Sequence, residues 1–168
     1  FNILLGACAG KSLTAGYSNI LIGCHAGCSL TDGFRNVIIG DRESTTPGTS
    51  GDDNVFLGWN AGRCGTSGNN NVFLGCEAGQ CATGDHSIII GHRAGSGATG
   101  VDYGIFLGKG SGCLMTGNDN IAIGKEAMRC LCTSGGKNIG IGEGAGKCIT
   151  TAGNNILMGA CSGFGLAT

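Results

Sequence analysis

One pattern of apolar and polar positions runs through the whole chain: Asn, then three apolar residues, then Gly, two variable residues, Ala-Gly, and a Thr/Gly-rich stretch. It begins at Asn2-Ile3-Leu4-Leu5-Gly6 and returns at Asn19–Gly23, Asn36–Gly40, Asn54–Gly58, Asn71–Gly75, Ser87–Gly91, Gly104–Gly108, Asn120–Gly124, Asn138–Gly142 and Asn155–Gly159. The anchoring glycines stand sixteen to eighteen residues apart. Each apolar core is too short for a helix and favours β-branched residues, as a strand does. A short fixed period of this kind predicts stacked coils that bury one continuous core. The expected fold is all-β, a parallel β-solenoid (β-roll) of about ten coils of roughly seventeen residues, forming one repeat domain over residues 1–168.

Alternation along a strand places the first and third apolar positions on one face and the middle position on the other. The first column is always Ile or Val, from Ile3 to Ile156, and the third is always Leu, Ile or Met, from Leu5 to Met158. These two columns are expected to line the coil interior. A third inward column is small: Ala9, Ala26, Ala61, Ala78, Ala94, Ala127 and Ala145, with Ser111 and Ser162 as variants.

The middle column is then expected to face outward. It reads Leu4, Leu21, Ile38, Phe56, Phe73, Ile89, Phe106, Ala122, Gly140 and Leu157. Soluble monomers rarely expose so long an apolar ladder. Packing against identical ladders of other chains is one resolution, with Leu4, Leu21, Ile38, Phe56, Phe73, Ile89, Phe106 and Leu157 as the oligomer interface and a trimer favoured. Burial of both strand faces within one chain is the other.

The Asn column is read as structural, hydrogen-bonding from coil to coil and to turn backbone. The anchoring Gly, present in every copy, suggests a backbone conformation or close approach that a Cβ would block.

Composition narrows the function. The 168 residues include 36 Gly and only 12% charged residues, with a net charge of -1 and no basic stripe. Nucleic-acid binding therefore has no electrostatic footing. No apolar run reaches the length of a membrane span. The chain opens and closes inside repeats, which reads as a piece of a longer fibre.

Asn54-Val55-Phe56-Leu57-Gly58-Trp59-Asn60-Ala61-Gly62 and Asn71-Val72-Phe73-Leu74-Gly75-Cys76-Glu77-Ala78-Gly79 resemble the glycine-rich repeats of phage and viral tail-fibre proteins. They are also similar to the head repeats of trimeric autotransporter adhesins. The resemblance implies a parallel β-roll assembled as a trimer on a virion or cell surface. The coil here is longer than the adhesin-head unit, and cysteine is far more abundant.

Eleven Cys suggest a disulfide scaffold in an oxidising setting. Stacking places Cys64 over Cys81 and Cys130 over Cys148 as disulfide candidates. Cys113 with Cys130, and Cys8 with Cys24, are offset by one column. Reduced Cys acting as small apolar residues is the alternative. Cys24-His25-Ala26-Gly27-Cys28 and Cys130-Leu131-Cys132 carry potential metal ligands but lack Cys-x-x-Cys spacing, so no metal and no cofactor are expected.

No catalytic motif stands out, and the chain is read as a non-enzyme. Thr14, Thr31, Thr66, Thr83, Thr99, Thr116 and Thr150 form one regular rank, read as turn residues; an ice-binding solenoid is the alternative from another functional class. The leading expectation is a structural or adhesive fibre segment, extracellular or on a virion, acting as a stiff spacer and stacking head-to-tail. A bacterial surface adhesin or extracellular filament is the alternative within the same architecture. Contact with a host glycan or receptor would use Trp59, Asn60, Glu77, His92 and Arg93.

Overall fold

A computed structural model describes residues 1–41, 50–64, 68–129, 135–148, 151 and 153–164. Ten strands of three residues each, β1 (Ile3–Leu5), β2 (Ile20–Ile22), β3 (Val37–Ile39), β4 (Val55–Leu57), β5 (Val72–Leu74), β6 (Ile88–Ile90), β7 (Ile105–Leu107), β8 (Ile121–Ile123), β9 (Ile139–Ile141) and β10 (Ile156–Met158), form one parallel sheet in chain order. The register never slips: Ile20 faces Val37, Leu21 faces Ile38 and Ile22 faces Ile39, and so on through the sheet. Each repeat is one coil of a β-solenoid, and equivalent residues stack in columns. Ladder bonds continue past the strands, as from the Ile20 N–H to the Asn36 carbonyl (2.8 Å) and from the Gly23 N–H to the Leu5 carbonyl (2.8 Å). Among the described residues no helix is long and apolar enough to cross a membrane.

The strand faces are the reverse of the sequence expectation. The middle column points inward: Leu21, Ile38, Phe73, Ile89, Phe106 and Ala122 are buried. Phe56 packs against the buried clusters on both sides of it and stacks on Phe73 with ring centroids 4.8 Å apart. The first and third columns, expected inside, face outward and are half-buried or exposed.

The reason lies across the coil. Four residues after the anchoring Gly stands a second Gly, such as Gly62, in the left-handed region at φ +64. A Cβ on Gly62 would sit 2.9 Å from the Phe56 ring. Its absence makes room for one large side chain per coil, and the middle position supplies it. The interior is too thin for two large columns, so the flanking pair is turned out.

The small inward column is as expected, with Ala26, Ala61, Ala78, Ala94, Ala127, Ala145 and Ser111 buried. Leu30, Ala82, Ala98, Val101, Met115 and Met128 complete the core among the described residues. The anchoring Gly also has a steric reason. At Gly58 φ is +131, and a Cβ would lie 2.6 Å from the Gly75 carbonyl oxygen of the next coil.

Two side-chain ladders run along the solenoid in opposite senses. In the Asn column the later coil donates to the earlier one. Asn36 gives its backbone N–H (2.9 Å) and its Nδ2 (3.1 Å) to Asn19 Oδ1, and its Nδ2 also donates to the Gly51 carbonyl (2.7 Å). Two residues before that column the earlier coil donates to the later. The backbone N–H groups of Phe34, Asp52, Asn69, Asp85 and Asp102 bond Oδ1 of Asp52, Asn69, Asp85, Asp102 and Asn118, at 2.7–3.0 Å. These ladders satisfy backbone groups at the corner where the chain turns into the strand. At Ser87 the Asn column shortens: its Oγ accepts the Gly104 N–H (3.1 Å) and lies 3.1 Å from the Val101 carbonyl.

Candidate functional site

The outward face of the sheet carries two parallel aliphatic ranks. One is the Ile/Val column from Ile3 to Ile156, and the other is the Leu/Ile/Met column from Leu5 to Met158. Ile39, Ile88 and Ile90 are 38%, 41% and 37% exposed, and the ranks stay half-buried or more exposed in every strand. No charged side chain interrupts either rank. The oligomer interface expected at Leu4, Leu21, Ile38, Phe56, Phe73, Ile89, Phe106 and Leu157 is therefore misplaced. Those side chains serve the coil interior, with only Leu4, in the first coil, left exposed. The exposed apolar ladder exists, one residue to either side of where alternation placed it.

A second surface lies just after each anchoring Gly. Its second residue takes a left-handed conformation in coil after coil: Cys8, His25, Asn60, Glu77, Arg93, Glu126 and Cys161 all have φ of +54 to +58. That turn repeats along one edge of the solenoid. Trp59 is exposed there, but Asn60 is buried and drops out as a surface contact. Glu77 and Arg93 pair across adjacent coils at 2.9 Å.

His92 and Arg93 are exposed and line a groove of about 460 Å³ with Ser96, Lys109, Gly110, Cys113, Leu114, Glu126 and Arg129. Trp59 and Glu77 lie outside that lining. Lys109, Cys113 and Arg129 were not anticipated as groove residues. Their signal was available only in the stacking register, which brings positions one, two and five after successive glycines together.

The groove is bounded by ion pairs. Glu126 binds Lys147 Nζ (2.7 Å) through one oxygen and Arg129 Nη1 (2.7 Å) through the other. Lys147 first, and Arg129 after it, hold the Glu126 carboxyl below its ordinary value. Burial pushes the Cys113 thiol up, opposed by Arg129 and Arg93. On the opposite flank of the coil, Arg35 and Asp53 form a two-point pair at 2.6 and 2.7 Å, and the Arg35 hydrogen bond lowers the Asp53 pKa.

Cys64 and Cys81 form a disulfide, with Cα atoms 4.5 Å apart and seventeen residues between coils. It is the only one among the described residues. The pair expected at Cys130 and Cys148 is not formed at the Cys148 end, which is a free thiol; Cys130 lies outside the described residues. Cys8, Cys76, Cys113 and Cys161 are also free thiols. Within the Thr rank, Thr14 Oγ1 donates to Asp32 (2.8 Å) and Thr83 Oγ1 accepts the Gly100 N–H (2.7 Å), as turn residues do. Thr66 and Thr150 lie outside the described residues.

No family model matches the chain, and neither a curated protein nor a solved structure matches it.

Proposed function

We propose that this solenoid is a structural segment of an extracellular or virion-surface fibre, a stiff spacer that assembles with copies of itself, as a trimer, along its outward strand face. The observation that carries the reading is the pair of uninterrupted aliphatic ranks running the length of the sheet. Ten strands at about 4.8 Å, each about 10 Å long, make a face of roughly 480 Å². That is the size of the largest apolar patch an ordinary monomer carries, about 300–600 Å². Two such faces together approach the roughly 1,000 Å² of a specific interface, and residues at the rims supply the remainder.

Further copies of this chain are the occupants that fit. Every coil repeats at the same spacing, so a straight ladder of identical pitch matches the face in register from end to end. The resemblance of the Asn-aliphatic-apolar-aliphatic-Gly units to tail-fibre and adhesin-head repeats supports the same reading. The His92, Arg93, Lys109 and Arg129 groove is the surface best suited to an anionic receptor group on a host. Light scattering on the chain and on Leu74→Glu tests the assembly: the native chain is a multimer, and the variant, altered only on the outward rank, is a folded monomer. Native chains that remain monomeric at tens of micromolar refute it.

A further inference from the structure

We propose that Cys24, His25 and Asp41 form a zinc site on the edge of the second and third coils. Their ligating atoms all lie within 4.8 Å of one another. Cys24 Sγ already lies 3.1 Å from His25 Nδ1. Consecutive residues in an extended chain point to opposite faces. Here His25 takes a left-handed conformation at φ +58, which brings its ring round to the side of the Cys24 thiol. Asp41 arrives by stacking: it follows Gly40 as Cys24 follows Gly23, so the two occupy one column on adjacent coils.

The chemistry selects the ion. Thiolate, imidazole and carboxylate together are a zinc donor set, and a hard oxygen-seeking cation such as Ca²⁺ would not choose it. Zinc holds these ligands at about 2.0–2.3 Å, so their donor atoms settle at about 3.3–3.8 Å from one another, and the Cys24–His25 pair opens slightly from 3.1 Å. All three side chains are exposed or half-buried at an edge, and small rotamer changes suffice. The Cys24 thiol loses its proton to solvent as the Zn–S bond forms. Three protein ligands leave the fourth position to water, the arrangement of an open rather than a sealed zinc site. Cys8, one coil earlier in the His25 column, lies outside the group.

The test uses the full chain with its Cys64–Cys81 disulfide intact and Co²⁺ and Zn²⁺ as probes. One equivalent of Co²⁺ is expected to give the thiolate-to-cobalt charge-transfer band and the visible bands of a four-coordinate ion, and Zn²⁺ is expected to displace it. Cys24→Ser removes the charge-transfer band. His25→Ala, His25→Gln and Asp41→Asn each weaken zinc at least about tenfold, since even outer-shell losses cost 10–100-fold. Cys161→Ser, a free exposed thiol in the last coil, leaves binding unchanged. Thermal unfolding of each variant without metal confirms that the fold is intact. A cobalt–thiolate band that persists in Cys24→Ser, zinc binding unaltered in both His25 variants, or no binding of either ion overturns the site.

Discussion

Met128 and Gly140, in successive coils, exchange the large and small roles that other coils assign the other way round. Met128 stands where Gly27, Gly62, Gly79 and Gly112 stand in their coils, and it is buried at φ +49. Gly140 stands where Leu21, Phe73 and Phe106 fill the interior. A Cβ on Gly140 would lie 2.6 Å from Met128 Cγ. Met128, whose own coil carries the small Ala122 at the middle strand position, therefore reaches into the volume that a strand residue of the next coil fills elsewhere.

Gly140→Leu is expected to destabilise the chain by about 1–3 kcal/mol through overpacking against Met128. Met128→Gly alone opens a cavity and is expected to cost about 2–5 kcal/mol. The double variant returns a large side chain to the strand position beside Gly146, in the volume Met128 vacates, so its loss should be well below the sum of the two. Denaturant unfolding of the four proteins measures the coupling, and simple additivity would show that the two residues do not share one volume.

Adjacent residues of β5 should respond to charge in opposite ways. Phe73 is buried and Leu74 faces outward. Phe73→Glu is expected to unfold its part of the solenoid, because a carboxylate there has no partner. Leu74→Glu is expected to keep the circular dichroism of the native chain and lose self-association. Equal unfolding by both substitutions would contradict the assignment of faces.

Asn36 serves both neighbours at once. It accepts from the Asn54 backbone N–H (3.0 Å) and Nδ2 (3.1 Å), and it donates to Asn19 and to the Gly51 carbonyl. Asn36→Ala leaves buried partners on both sides unsatisfied and is expected to cost about 2–4 kcal/mol, at roughly 1–3 kcal/mol for each orphaned group. Thermal unfolding should also rank Asn36→Ser, which imitates the shorter link at Ser87, as the milder change.

The Cys64–Cys81 disulfide closes a loop of about one coil. Its reduction, or Cys64→Ala with Cys81→Ala, is expected to lower stability by about 3 kcal/mol on the chain-entropy scale for a loop of this length. Unfolding with and without reductant measures it. An unchanged midpoint would mean that the backbone ladders already hold these coils as closely in the unfolding transition.

Acid should weaken the edge around Glu126. Its carboxyl is lowered by Lys147 and Arg129, so its contribution is full above the ordinary carboxylate range and is lost as pH falls through the lowered value. The stability difference between the native chain and Glu126→Gln is therefore expected to shrink on acidification below about pH 4.5. A difference that grows on acidification would reverse the sign of the pairing.

The strands, the coil period, the Ala column and the structural role of Asn were all legible in the repeat. Each is written once per coil at a constant offset, and repetition marks it. The side of the strand that faces inward was not legible by alternation. Val72, Phe73 and Leu74 are all apolar, so a period of two has nothing to contrast. The deciding residue is Gly79, across the coil, whose missing Cβ leaves the space that Phe73 enters. The edge sites were legible only in part. Cys24 and His25 are neighbours in the chain, while Asp41 joins them only because coils stack in register. The groove residues Lys109 and Arg129 come together for the same reason.

Self-association through the outward strand face is most directly tested by the solution mass of the native chain, measured by analytical ultracentrifugation across a dilution series. A fibre segment of this design gives a discrete species at three times the 16.6 kDa chain mass. A single species of 16.6 kDa at every concentration, with both aliphatic ranks left in water, contradicts it.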